Sequence, residues 1–288
     1  MTARYEDRML RVLAHIYDNP EGDLSLDALS DVAAMSRFHW HRVFHAMTGE
    51  TCAQAVRRMR LHRAAAWLVQ TDRPIAGIAN AIGYPSQQSF TRAFLAGYGI
   101  TPGAFRRKGE LCPPHLHVRK GDYPMHPIEI ETHPARRLAA ILHQGPYVEV
   151  GKAFESLGAV LTGRSLWAYV RGMIGVYYDD PDAVPAAELR SDAGAIVTGD
   201  AVLAEPLEER QLPPGRYVVM RYKGPYSGLA AAYRHLYGDW VPQSGEELGD
   251  HPPLEIYLNS PMDIAPEDLL TECLCPAKVA AVTHGAGR

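Results

Sequence analysis

The sequence predicts a multidomain chain. An all-α, double helix-turn-helix N-terminal domain comes first. An α+β C-terminal domain follows, built from a duplicated strand-helix-strand-strand unit. Three observations predict this. Charge divides the 288 residues: 1–110 carry a net of +4 and 111–288 a net of −8, and within 36–108 eleven basic side chains face only Glu50 and Asp72. Apolar residues in the basic part recur at helical spacing, in two successive short-helix pairs. The acidic part repeats itself at an offset of 79 residues. The expected boundaries are 1–108, a linker at 109–125 rich in Pro and Gly, and 126–284. At 47% hydrophobic and 22% charged residues the chain is neither disordered nor fibrous. No apolar run nears the length of a membrane helix. The charged first residues suggest no secretory leader and a cytoplasmic location. Four scattered cysteines do not make a disulfide framework.

The helices follow in order. Arg4 to Tyr17 sets Met9, Val12, Leu13 and Ile16 on one face and ends at Asn19-Pro20. Ser25 caps a short helix bearing Leu26 and Leu29. Ser36 is expected to cap the next, with Phe38, Val43, Phe44 and Met47, closed by Gly49. A long helix runs from about Ala53 to Val69 and buries Val56, Leu61, Ala64 and Leu68. Arg57, Arg58, Arg60 and Arg63 crowd its polar side. The pattern then recurs. Ile75, Ile78 and Ala79 precede a turn at Gly83, and Ser86 caps a helix with Phe90 and Phe94. Gly99 ends it, and Thr101-Pro102 opens a last helix with Phe105. Each short pair reads as a helix-turn-helix unit, whose second helix enters a major groove.

The run Ile75 to Phe94, with Gly99-Ile-Thr-Pro102 and Phe105-Arg106, resembles the AraC/XylS-type DNA-binding domain over about residues 8–107. The resemblance implies two recognition helices in successive major grooves, held apart by the long middle helix. Ala34 departs from it, standing where the family usually has Gly in the first turn. A left-handed Ala costs ~1 kcal/mol more than Gly. The exposed face of the first unit is expected to offer Arg37, Phe38, His41 and Arg42, that of the second Gln87, Gln88, Thr91 and Arg92. Arg pairs with guanine, Gln with adenine, and Phe or the Thr methyl meets a thymine methyl. Ser36 and Ser86, at helix N-termini, are expected near phosphates.

In the acidic half, Arg137 to Tyr147 matches Arg216 to Tyr226. Each reads strand, Gly-Pro-Tyr turn, then a helix (Ala153, Phe154, Leu157 against Ala232, Tyr233, Leu236). Met173 to Pro181 matches Leu254 to Pro261 with one residue of slippage. Two copies suit a pseudo-twofold pair sharing one sheet. Alternation puts Leu254, Ile256 and Leu258 on a face expected to pack against helices. Glu255 and Tyr257, with Gly175 and Tyr177, lie on the other. Gly175 opposite Glu255 leaves space. A carboxylate framed by Tyr147, Tyr177, Tyr226, Tyr257 and Trp167 suits a hydrophobic cation, each ring adding ~0.5–2 kcal/mol. The duplicated Gly-Pro-Tyr, the Gly-Val-Tyr-Tyr-Asp-Asp-Pro run and the Pro-Leu-Glu-Ile-Tyr run resemble the GyrI-like, multidrug-sensing effector domain over about 125–280. That resemblance implies that Glu255 sits in the pocket and binds lipophilic cations, and that the two halves form a Rob-type architecture.

No catalytic residues, cofactor or metal site are expected. His41 and His45, His115 and His117, and Cys273 and Cys275 lack ligand spacing, and the acidic stretch Tyr178–Asp192 reads as a loop. The expected partners are double-stranded DNA, a small amphipathic effector and RNA polymerase, with no membrane. Some stand-alone GyrI-like relatives are hydrolases of strained electrophiles. The competing reading is therefore a DNA-tethered hydrolase, with Glu255 as general base and a Tyr serving the leaving group.

Overall fold

A computed structural model describes residues 2–109, 125–261 and 263–278. The chain divides into two compact units, residues 1–120 and 121–288. All of the expected linker except Gly109 and Met125 lies outside the described residues, as do Cys112, His115, His117 and 279–284. Among the described residues no helix is long and apolar enough to cross a membrane.

Among its described residues the first unit has seven helices: α1 (Thr2–Asp18), α2 (Leu26–Ala33), α3 (Trp40–Thr48), α4 (Cys52–Gln70), α5 (Ile75–Ala81), α6 (Gln87–Tyr98) and α7 (Pro102–Lys108). Local chemistry sets their ends. Ser25, Ser86 and Thr101 each accept from the backbone N–H three residues on, and Thr51 and Gln54 form a reciprocal capping box. Gly49 and Gly99 close α3 and α6 in the left-handed conformation. Ala34 does the same for α2 at φ 52°, as its place in the turn predicts. Ser36 differs from expectation. It opens a turn at Arg37–His39, accepting from Phe38 N–H at 3.3 Å, and α3 starts only at Trp40.

Two cores share α4. Cys52, Ala55 and Val56 pack with Met9, Val12, Leu13, Ile16, Leu29, Trp40 and Phe44. Leu61, Ala64, Ala65 and Leu68 pack with Ile78, Ile82, Phe90, Phe94 and Phe105. One continuous helix thus fixes the spacing of two small hydrophobic centres. The arginines on its polar side also hold the unit together. Arg58 pairs with Glu50, Arg60 Nε donates to Pro20 O at 2.8 Å, and Arg63 Nη1 donates to Tyr17 O at 2.9 Å.

The described residues of the second unit form an eight-stranded antiparallel sheet. Its strands are β1 (Ile128–His133), β2 (Arg136–Gln144), β3 (Val170–Tyr177), β4 (Arg190–Val197), β5 (Glu208–Leu212), β6 (Gly215–Lys223), β7 (Leu254–Tyr257) and β8 (Leu270–Ala277). Spatial order is β1-β6-β8-β7-β3-β4-β2-β5. Exchanging β1 to β4 with β5 to β8 reverses this order onto itself, which is the expected pseudo-twofold. Each copy carries one strand more than the sequence suggested, β1 or β5, and that strand pairs with the other copy.

The connections require the sheet to curl. Flat, β1 and β2 would lie six strand spacings apart, ~29 Å. Only Pro134-Ala135 joins them, a reach of at most ~11 Å. The same holds for Leu212 and Gly215 between β5 and β6. The face inside the curl buries Leu138, Ile174, Val176, Tyr217, Val219, Leu254, Ile256 and Leu274, all from strands. This corrects the expectation that Leu254 and Ile256 pack against helices; Leu258 is exposed. Helices α8 (Gly151–Gly163) and α9 (Leu229–His235) lie instead on the face of Glu255 and Tyr257, where Phe154 and Tyr233 meet these residues. The acidic stretch is a loop with one 3-10 turn at Ala186–Glu188 only as far as Leu189, since Arg190 to Asp192 lie within β4.

Candidate functional sites

In the second helix-turn-helix unit, Ser86, Gln87, Gln88 and Arg92 are exposed and Thr91 half-buried, Ser86 at the N-cap and the other four on the first two turns of α6. Phe90 and Phe94 anchor the opposite side through edge-to-face contacts with Tyr84 and Phe105, so the polar face is presented by a rigid helix. In the first unit, Arg37 is exposed and lies over the half-buried Phe38 ring at 5.5 Å. Arg42 is half-buried and donates to Phe38 O. His41 is not on this face. It is 3% exposed, and its Nε2 accepts from Cys52 N–H at 3.3 Å. It ties α3 to the start of α4 and does not point outward. Ser36 is likewise buried in its turn.

In the second unit, Gly175 of β3 pairs directly with Glu255 of β7, which pairs on its other side with Cys273 of β8. Glu255 is 6% exposed. Its Oε1 accepts from Tyr233 Oη at 3.1 Å and its Oε2 from Tyr257 Oη at 3.0 Å. Tyr177 Oη lies 2.6 Å from Tyr257 Oη. A Cβ on Gly175 would come within 2.8–2.9 Å of the Tyr177 ring and both of these hydroxyls. The space left by the glycine is therefore filled by phenols reaching across to the carboxylate. Further rings close over it: Tyr147 on Tyr177 at 4.9 Å, and Phe154 and Tyr226 on Tyr257 at 5.4 and 5.5 Å.

Electrostatics fixes who donates. Burial first, then the Glu255 charge, pushes the Tyr177 and Tyr257 phenols and the Cys273 thiol well above their ordinary values. Burial does the same for Tyr233, with Cys273 and Glu255 adding to it. All four keep their protons, so the phenols can serve the carboxylate as neutral donors. Trp167 stands apart. It lies at the far end of β3 from Tyr177, 47% exposed, its indole N–H donating to Thr162 Oγ1 at 2.9 Å. Among the described residues no cluster of three or more His, Cys, Asp or Glu could hold a metal ion.

Residues 126–278 match the GyrI-like small molecule binding domain, more than half of the chain. The chain belongs to that family. Residues 29–108 match a helix-turn-helix domain of the AraC type. Relatives are similar over about a third of this chain. The uncharacterized HTH-type transcriptional regulator YbfP of Bacillus subtilis is 35% identical over 102 residues, 35% of each protein. The right origin-binding protein of Escherichia coli is 37% identical over 107 residues, 35% of this chain and 36% of that protein. The chain thus spans about a third of the length of these two relatives. Regulatory protein SoxS of Escherichia coli is 33% identical over 97 residues, 34% of this chain and 91% of that protein. Among solved structures, the EcmrR C-terminal domain is similar over 54% of this chain and 99% of that chain, with TM-score 0.45 and 16% identity.

Two residues of the GyrI-like unit escaped sequence reasoning. Tyr233 matches Phe154 at the 79-residue offset, and both point at the axis between the copies. That shared position was the available signal. Cys273 reads from alternation as a packed strand residue, which it is, but only the β7–β8 pairing shows that it lies beside Glu255.

Proposed function

We propose that this chain is a DNA-binding transcription regulator whose GyrI-like unit binds a lipophilic cation at Glu255. The observation that carries the reading is a buried carboxylate under a set of aromatic rings. Its phenol donors are neutral, so they orient the charge without cancelling it. A flat or globular organic cation brings the countercharge, and the rings of Tyr147, Tyr177, Tyr226 and Tyr257 supply cation–π contact of ~0.5–2 kcal/mol each. The N-terminal unit supports the other half of the reading. Gln87, Gln88, Thr91 and Arg92 form one base-reading surface, and Arg37, Phe38 and Arg42 the other. The 19 residues of α4 span ~28 Å, close to the ~34 Å of one DNA turn. Duplex DNA and an amphipathic effector are the direct partners in this reading, and RNA polymerase is the machine through which it acts.

The test is native mass spectrometry with tetraphenylphosphonium, wild type beside Glu255→Gln. Retention by the wild type and loss in the variant supports the reading. Equal retention by both removes Glu255 from the site. With a panel of strained electrophiles, release of a product one water heavier, absent from the variant, replaces the sensor by a hydrolase.

A further inference from the structure

Tyr147 and Tyr226 occupy matching positions in the two Gly-Pro-Tyr turns, each with its ring against a tyrosine of the site. Their hydroxyls differ completely. Tyr147 Oη lies 2.8 Å from Asp179 O and 3.0 Å from Arg190 O, and it accepts from Asp179 N–H at 3.0 Å. Three backbone groups hold that ring in place. No described residue makes a hydrogen bond to the Tyr226 hydroxyl, and the side chain is 38% exposed. Its ring contact within the site is the edge of Tyr257.

The turn beneath Tyr226 is nonetheless firm. Gly224 N–H donates to Leu269 O at 2.9 Å and Gly228 N–H to Pro225 O at 2.9 Å. Tyr222 Oη donates to Pro225 O at 2.7 Å, and it sits where a Cβ on Gly224 or Gly228 would have to be. A fixed backbone carrying an untethered ring on its outer side allows side-chain rotation without unfolding, on the nanosecond scale of exposed rotamers.

We infer that Tyr226 is the gate of the Glu255 site and Tyr147 its fixed wall, so that a ligand is admitted from the side of the second copy when the Tyr226 ring swings off Tyr257. The inference rests on Glu255 being the effector site. Phe154 stays against Tyr257 when Tyr226 leaves, which keeps the Tyr257 hydroxyl on Glu255. The gate therefore controls access without dismantling the site.

Cys273 gives a readout that needs no cation. It is fully buried beside Glu255 with its thiol bonded to Tyr233, and Cys275, two residues on along β8, is equally buried and bonded to Tyr237. Labelling of the full chain by N-ethylmaleimide, resolved by peptide mass spectrometry, compares the two thiols. With the ring open about a tenth of the time, Tyr226→Ala speeds Cys273 labelling about tenfold and leaves Cys275 unchanged. An unchanged Cys273 rate overturns the gate. So does a rate that rises in step with Cys275, which marks general loosening. Tyr147→Ala gives the second arm: an equal, Cys273-specific acceleration overturns the assignment of Tyr147 as wall. If tetraphenylphosphonium fails to bind the wild type while Tyr226→Ala still exposes Cys273 selectively, the cation reading falls and the gate stands.

Discussion

Gly175 and Glu255 face each other across the β3–β7 pair, at the point where the pseudo-twofold axis passes between the copies. Equivalent positions thus carry opposite extremes, no side chain and a carboxylate. The single charge uses the room its counterpart leaves, with Tyr177 and Tyr257 crossing over the glycine.

Gly175→Ala is expected to damage the site from its floor. The new methyl meets the Tyr177 and Tyr257 hydroxyls, which are bonded to each other and to Glu255 and cannot simply swing aside. Overpacking of this kind costs ~1–3 kcal/mol. Thermal unfolding should show that loss, and calorimetric titration should show tetraphenylphosphonium binding weakened. A variant with unchanged melting and affinity would mean that the phenols do not need the gap.

How much of this was legible in the sequence follows from the range of the interactions. The seven helices and their caps are local, so Ser25, Thr101 and Gly99 mark them by themselves. The duplication is also local to each copy, and strand alternation placed Glu255, Tyr257, Tyr177 and Gly175 on one face. Alternation does not say which face receives the helices. That choice depends on the curl imposed by the short His133–Arg136 and Leu212–Gly215 connections, and these were invisible until β1 and β5 were seen to exchange partners. His41 failed for a related reason. Its spacing fits an exposed face, but α3 begins at Trp40, after the turn at Ser36, and His41 rotates inward onto Cys52 N–H.

Acid should weaken the GyrI-like unit through His133. Arg136 Nη2 lies 2.6 Å from His133 Nδ1, so the guanidinium donates to that nitrogen's lone pair. Burial, then the Arg136 charge, holds the imidazole below its ordinary value, against the opposing pull of Glu131 and Glu272. Unfolded, the ring titrates near pH 6.5. Between the folded and unfolded values the unfolded chain binds more protons, so stability rises with pH there. The contribution is complete above about pH 6.5 and is lost as pH falls through the lower, folded value. His126, also held low by burial and by His235, adds in the same direction. Melting at pH 7.5 and 5.5 should show a drop that His133→Gln makes smaller. An identical drop in the variant would assign the acid sensitivity elsewhere.

Two arginines of the DNA-binding unit should fail in different ways. Arg60 bridges the end of α1 to the second turn: its Nε donates to Pro20 O, and its guanidinium carbon lies 3.0 Å from where Gly83 would carry a Cβ. Arg60→Ala should cost ~1–2 kcal/mol of stability and weaken binding to every DNA sequence alike. Arg92, exposed on α6, should leave stability unchanged when replaced by Ala and cost ~1–3 kcal/mol on the specific site alone. Competition mobility shifts with a selected site and a random duplex separate the two. Equal losses for Arg92→Ala on both duplexes would remove it from base reading.

Ala34 offers a gain in stability. It holds φ 52° and ψ 46° after α2, and its N–H is bonded to Asp31 O. The left-handed conformation costs an Ala ~1–2 kcal/mol because its Cβ crowds the following carbonyl. Glycine removes that crowding but gives back part of the gain through a freer unfolded chain. Ala34→Gly should therefore stabilise the N-terminal unit by ~0.5–1 kcal/mol, a rise of a few degrees in its Tm. Ala34→Val, with a branched Cβ in the same conformation, should lower it. A lower Tm for the glycine variant would show that the turn is held by the alanine methyl and not merely tolerant of it.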